Sequence, residues 1–445
     1  MKKKHFTTTL LFAFIFLTLK INGQVSIIPK PNDIKYNAGI FSYAKGFDIK
    51  IIRGDDATKL IQKQLTDFIK EKNIPLVAFA TTAVTLNLLQ PKATDIPSDG
   101  YTLTVSPTTI AVTSSGNAGL FYGVQSLMQL LKKDSVKTLP CLEIKDNPAF
   151  SFRGMHLDVV HHFFGPDVIK QYLDVMAKLK LNQFHWQLAD EGKWRIELKK
   201  DSLLIDKSSF YTQAQIKEIL KYAQERYINI IPEISLPSTT EDLYLQSNKN
   251  IIDEVCALFP GPYIHIGNSL TDTATIRYLS SKNKKIIGTD NLLFDNEIMT
   301  SYKSSKNGWS EAEKGNDVIM APRQSCSLDY YQDWDDEKKS FSMTFLPLDK
   351  AYSFNPLGKI KDSKIQSHIL GGQAFVFTQF IKDENDLQYM VFPRLLATAE
   401  CLWTKSSNKK FADFEKRLKA QKNYFFKEKE MPKIDMVRIK PKKEN

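Results

Sequence analysis

Two stretches decide the fold: Phe152-Arg-Gly-Met-His-Leu-Asp158 and Gln183-Phe-His-Trp-Gln-Leu-Ala-Asp190, separated by an amphipathic, helix-like run. Each is a short apolar segment that ends in a carboxylate, as a parallel strand buried on both faces should be. The same alternation of apolar strand and amphipathic helix continues near Ile228 to Ser235, Tyr263 to Ser269, Lys285 to Asn291, Met299 to Lys303, Asp317 to Pro322 and Ile369 to Phe377. Eight such units in roughly 280 residues predict an α/β chain of the (β/α)8 TIM-barrel class, placed over 149–430, with its chemistry at the C-terminal ends of the strands.

Upstream, 24–148 predicts a small α+β domain. Alternating strands are expected at Tyr101 to Val105 and Thr109 to Val112. A helix is expected from Asp56 to Lys70, with Leu60, Ile61, Leu65 and Ile69 on one face, and another from Ala118 to Leu131.

The 445 residues are 42% hydrophobic and 25% charged, with 28 Phe and 17 Tyr, which is the composition of a globular protein rather than a disordered or fibrous one. Residues 1–23 read as a signal peptide: Met-Lys-Lys-Lys, an apolar run from Leu10 to Leu19, then Asn22 and Gly23. That run is about half the ~20 residues a spanning helix needs, so secretion or periplasmic export without stable membrane insertion is expected. The formal charge of +11 falls to +7 without this segment, and 431–445 forms a basic tail. The lysines follow no nucleic-acid motif, so nucleic acid is not an expected partner. Cys141, Cys256, Cys326 and Cys401 lie far apart without metal-ligand spacing, and no metal or organic cofactor is expected.

A glycosidase needs an acid to protonate the leaving oxygen and a second group to stabilise developing positive charge. Carboxylates at the predicted strand ends are Asp158, Asp190, Glu191, Asp290 and Asp329. Each has a structural alternative: Asp158 would bond equally well to nearby backbone, and adjacent Asp190 and Glu191 would point apart on a continuing strand. Trp186, Trp194, Tyr302, Trp309, Tyr330 and Tyr331 could stack on sugar rings or belong to the core. Taken alone, these residues describe a barrel with a polar mouth.

The motifs Phe152-Arg-Gly-Met-His-Leu-Asp158, His162-Phe-Phe164, Phe184-His-Trp-Gln-Leu-Ala-Asp190, Trp194-Arg-Ile-Glu197, Ile231-Pro-Glu-Ile234, Pro262-Tyr-Ile-His-Ile-Gly267 and Leu328-Asp-Tyr-Tyr-Gln332 together resemble glycoside hydrolase family 20 in order and spacing. The resemblance covers essentially the whole chain after the signal segment. It implies a β-N-acetylhexosaminidase scaffold, in which the substrate's own acetamido oxygen attacks and an Asp-Glu pair after the fourth strand serves as orienting carboxylate and general acid.

At that point the family pattern His-Ile-Gly-Gly-Asp-Glu becomes His265-Ile-Gly-Asn-Ser-Leu270, so Ser269 and Leu270 stand at the catalytic positions. The segment Pro232-Glu-Ile-Ser-Leu-Pro-Ser-Thr239 has also lost an acid and a histidine, Thr289 replaces a tryptophan, Ser327 a tyrosine and Gln379 a glutamate. Arg153, Asp190 and Asp329 match positions near the sugar hydroxyls, and Tyr302 and Phe377 keep aromatic character where the family has tryptophan. The resemblance therefore implies a secreted barrel that binds or senses N-acetylhexosamine-containing glycans without cleaving them. Two alternatives are an active amino-sugar hydrolase with an acid relocated to Asp190, Glu191, Glu241 or Asp242, and a structural or partner-binding protein with an empty pocket.

Overall fold

The computed structural model describes residues 25–425 apart from 92–93, 132–136, 191–192, 201–204, 237–241, 268–272, 291–296 and 333–343. The expected signal segment and basic tail, and the positions Ser269, Leu270, Glu191 and Glu241, lie outside the described residues.

The first domain is a six-stranded mixed sheet in the spatial order Asp33–Ser42, Thr138–Asp146, Tyr101–Val105, Thr109–Ser114, Ala83–Leu88, Asp48–Arg53. Helix Asp56–Glu71 begins at Asp55, whose carboxylate accepts the Thr58 N–H while the Thr58 hydroxyl accepts the Asp55 N–H. It buries Thr58, Ile61, Leu65 and Ile69, the i, i+3, i+4 stripe visible in the sequence. Helix Asn117–Leu130 has no polar face: Gly119 through Leu130 are all buried, because this helix lies between the sheet and the barrel.

The second domain is a closed parallel barrel of eight strands: Phe152–Asp158, Gln183–Gln187, Asn229–Glu233, Tyr263–His265, Lys285–Thr289, Ile298–Ser301, Asp317–Met320 and Ile369–Val376. The eighth pairs with the first over six residues, from Gly371 opposite Phe152 to Val376 opposite Leu157. No Cβ could be tolerated at Gly371, whose φ is +142° and where that atom would lie 2.0 Å from the Phe152 carbonyl.

The two domains are joined by a buried polar node. The Asp146 carboxylate accepts from Tyr101 at 2.8 Å and from the Trp403 indole at 2.9 Å, and Lys180 Nζ lies 3.5 Å from it. Burial lowers the Lys180 pKa to about 8, and Asp146 works against that shift. A second buried pair, Arg417 with Glu400, makes two bonds of 2.7 Å and ties helix Phe411–Ala420 to helix Arg394–Trp403.

Candidate functional site

Parity along each strand decides which side chains meet inside the barrel. On the first strand the inward positions are Gly154, His156 and Asp158, and Arg153 points outward. Arg153 is completely buried, donating to the carbonyls of Lys180 and Phe150 and to the Tyr122 hydroxyl, with its guanidinium over the rings of Tyr122 and Trp403. The expectation that Arg153 contacts sugar is therefore corrected. It sits at the N-terminal end of the strand, on the outer face, and belongs to the domain junction.

From the same segment, His161 is the side chain that reaches the mouth. Its Nδ1 lies 2.7 Å from Asp158 Oδ2, and Gln379 Nε2 lies 3.2 Å from its Nε2. The Asp158 hydrogen bond raises the His161 pKa, aided by the nearby charge of Asp190. Asp158 is fully buried and also accepts from the backbone of Val160 and Thr378 and from the Thr378 hydroxyl. Burial pushes its pKa up, but the His161 bond and the backbone donors outweigh that and hold it below the usual carboxylate range. Asp158 is thus a saturated structural acceptor that aims His161.

The other residues expected to contact sugar have the following surroundings. Asp190 is partly buried, with the Ser235 hydroxyl at 3.5 Å. Phe377 forms an aromatic wall, with Arg323 over its ring at 6.0 Å and Tyr302 at 6.2 Å. Tyr302 is almost wholly inside the barrel, where its hydroxyl accepts from Gln373. Asp329 is buried: Oδ1 accepts from Ser327 at 2.7 Å and Oδ2 has no partner among the described residues. Burial raises its pKa to about 6. Its loop is clamped by Arg394, which donates to the carbonyls of Leu328, Tyr330, Leu346 and Met390.

Beneath the mouth lies a group that local sequence motifs do not reveal. His156, His185, Glu233 and His265 come from the first four strands and converge on one point. Glu233 Oε2 is 2.6 Å from His185 Nε2, 3.2 Å from His265 Nδ1 and 3.8 Å from His156 Nε2. Burial pushes Glu233 up to about 7 and lowers His156 to about 4 and His185 to about 3. His265 is held well below its ordinary value for the same reason. Burial thus disfavours the charged form of every member of the cluster. Among the described residues, ligand atoms of His156, His185 and Glu233 lie within 4.8 Å of one another. The signal available in the sequence was the inward parity of His156, His185 and Glu233 on consecutive predicted strands.

A groove of about 820 Å³ opens at the opposite end of the barrel, between Asp99 and Tyr122 of the first domain and Lys217, Lys221 and Tyr227 of the barrel. It lies away from the strand ends that carry the acidic and aromatic groups.

Acids, an imidazole–amide pair and an aromatic wall stand around one mouth of a (β/α)8 barrel, with a small α+β domain packed beneath. The chain belongs to glycosyl hydrolase family 20: the family's catalytic-domain profile matches 150–247 and 273–406, and its domain 2 profile matches 24–147. It is 30% identical over 414 residues to a Porphyromonas gingivalis beta-hexosaminidase, covering 73% of this chain and 53% of that one. A Vibrio furnissii beta-hexosaminidase is 27% identical, with 85% of this chain and 76% of the relative covered. The chain thus spans about half the length of the first of these and three quarters of the second. The structure of a Vibrio harveyi exo beta-N-acetylglucosaminidase in complex with N-acetylglucosamine superposes with a TM-score of 0.79 at 26% identity, covering 89% of this chain and 76% of that one.

Proposed function

We propose that this chain is an exported barrel that binds N-acetylhexosamine-containing glycans at its mouth and does not hydrolyse them. The observation that carries the reading is Ser269-Leu270 at the Asp-Glu positions. Leucine has no proton to give, and serine carries no charge to offset an oxazolinium-like intermediate. Loss of the general acid alone costs roughly 10² to 10⁴ in rate, and loss of the carboxylate removes preorganised electrostatic stabilisation besides. The family profile's match is interrupted between 247 and 273, across these positions.

Binding is supported by what the mouth retains. Asp329 offers an unsatisfied acceptor, Phe377 a stacking face, and Asp190 and the His161–Gln379 pair further polar groups. Export rests on the N-terminal basic and apolar segment.

One observation favours a second reading, an active hydrolase with a relocated acid: burial raises Glu233 to about 7, near the pH at which a general acid would work. The test is hydrolysis of chromogenic β-N-acetylglucosaminide and galactosaminide, alongside calorimetric titration with N-acetylglucosamine and chitobiose. Saturable binding without turnover supports the binding reading. Turnover that survives repurification and is abolished by Glu233→Gln overturns it in favour of the second.

A further inference from the structure

The His156, His185 and Glu233 cluster is not explained by glycan binding at the mouth above it. A buried carboxyl group is costly without a full set of donors, and Glu233 Oε2 meets the ring nitrogens of His185, His265 and His156 at 2.6, 3.2 and 3.8 Å. His265 Nδ1 already accepts the Gly267 N–H at 3.0 Å, so in its neutral form it cannot donate to Glu233. His156 is completely buried, and neither of its ring nitrogens makes a hydrogen bond of good geometry. His185 Nε2 approaches Glu233 closely but off the hydrogen-bonding direction.

We propose that His156 Nε2, His185 Nε2 and Glu233 Oε2 form a binding site for one divalent transition-metal ion of the zinc type. Two imidazoles and a carboxylate are a zinc-type donor set that leaves a fourth position open. Ligand atoms about 2.0–2.1 Å from a tetrahedral ion stand about 3.3 Å apart. Around Glu233 Oε2 the present separations are 2.6 Å to His185 and 3.8 Å to His156, which bracket that value. Small side-chain rotations would equalise them.

The surroundings also fit. Gln373 donates to His185 Nδ1 at 3.1 Å, and its own Oε1 is buried without a partner among the described residues. Turning that amide over would place Oε1 on Nδ1, select the Nδ1–H tautomer of His185 and free Nε2 to bind a metal, a standard outer-shell arrangement. Glu233 keeps a side-chain exposure of 8%. A Cβ at Gly267 would come within 3.3 Å of Glu233 Oε1 and 3.0 Å of the Ser235 hydroxyl, and its absence leaves room beside the carboxylate. The fourth position would be filled by water or by a ligand oxygen.

The test is independent of any glycan. Untagged full chain, stripped with chelator, is titrated with Zn²⁺ in competition with a micromolar-affinity chromophoric chelator, and with Co²⁺ read by its visible bands. One equivalent bound, with low-coordinate Co²⁺ spectra, is expected in the wild type. At least a tenfold loss of affinity is expected in both His156→Leu and Glu233→Gln, each checked for folding by circular dichroism. His156→Leu removes a buried ring that no hydrogen bond of good geometry holds among the described residues and should fold, which keeps the test decisive if Glu233→Gln does not. No stoichiometric uptake by the wild type, or uptake that survives in either folded variant, overturns the proposal. The second outcome would assign any bound metal to surface histidines such as His162 and His368.

Discussion

The Asp158 carboxylate accepts the backbone N–H of Thr378 at 2.9 Å, across 220 residues of sequence, while its other bonds hold His161 and Val160. One side chain therefore fixes both banks of the seam between the first and eighth strands and sets the orientation of the mouth histidine.

Replacing Asp158 by Asn puts an amide N–H₂ against donors, and is expected to cost about 2–4 kcal/mol of stability. The pH dependence has a definite sign. The depressed Asp158 contributes stability above the unfolded carboxylate pKa and loses it as pH falls through its folded value. The raised His161 contributes most below about 6.5 and loses that contribution as pH rises through its folded value. The melting-temperature gap between wild type and variant should be widest between about pH 4 and 6.5 and narrow on both sides. A gap independent of pH would show that the pair is not ionised.

Arg153→Ala should destabilise the fold by about 3 kcal/mol or more, since it strips donors from buried carbonyls and removes two ring contacts. Sugar affinity of the folded fraction should not change. Titration at a temperature well below the variant's melting point separates the two effects, and a selective loss of affinity would return Arg153 to the binding site.

Asp329→Asn should behave in the opposite way. With a folded pKa of about 6 against an ordinary 3.8, the aspartate favours the fold below pH 4, and that contribution is lost as pH rises through 6. The variant should therefore gain up to ~3 kcal/mol on the wild type between pH 4 and pH 8. Its affinity for sugar at neutral pH should fall about tenfold, by the loss of one charge-assisted acceptor. Chemical denaturation at the two pH values, paired with calorimetry, reads both.

Arg394→Lys offers a third pattern. One ammonium cannot replace a fork that serves four carbonyls, so stability and sugar affinity should decline together, by about 2–3 kcal/mol and severalfold respectively. Preserved affinity in the folded variant would show that the Asp329 loop holds its position without the clamp.

The eight strands were legible because each is a short, largely apolar segment buried on both faces, with a striped helix after most of them. Register was not legible from the runs alone. Arg153 and His156 stand three residues apart in one motif, yet parity sends the first to the domain junction and the second to the barrel axis. His185, Glu233 and His265 belong to motifs some thirty to fifty residues apart, and only closure of the barrel brings them together. Asp190 and Phe377 lie just beyond the second and eighth strands, so the local chain already places them at the C-terminal rim.

Helix Asn117–Leu130 is buried along nearly its whole length, covered by the sheet on one side and the barrel on the other. Neither neighbour could lose it without exposing a continuous apolar surface, so the two domains should melt in a single cooperative transition. A fragment that begins at the first barrel strand would carry an uncovered floor and self-associate. The small domain thus acts as an obligatory folding partner, and its retention follows from solubility alone, whatever chemistry the mouth performs.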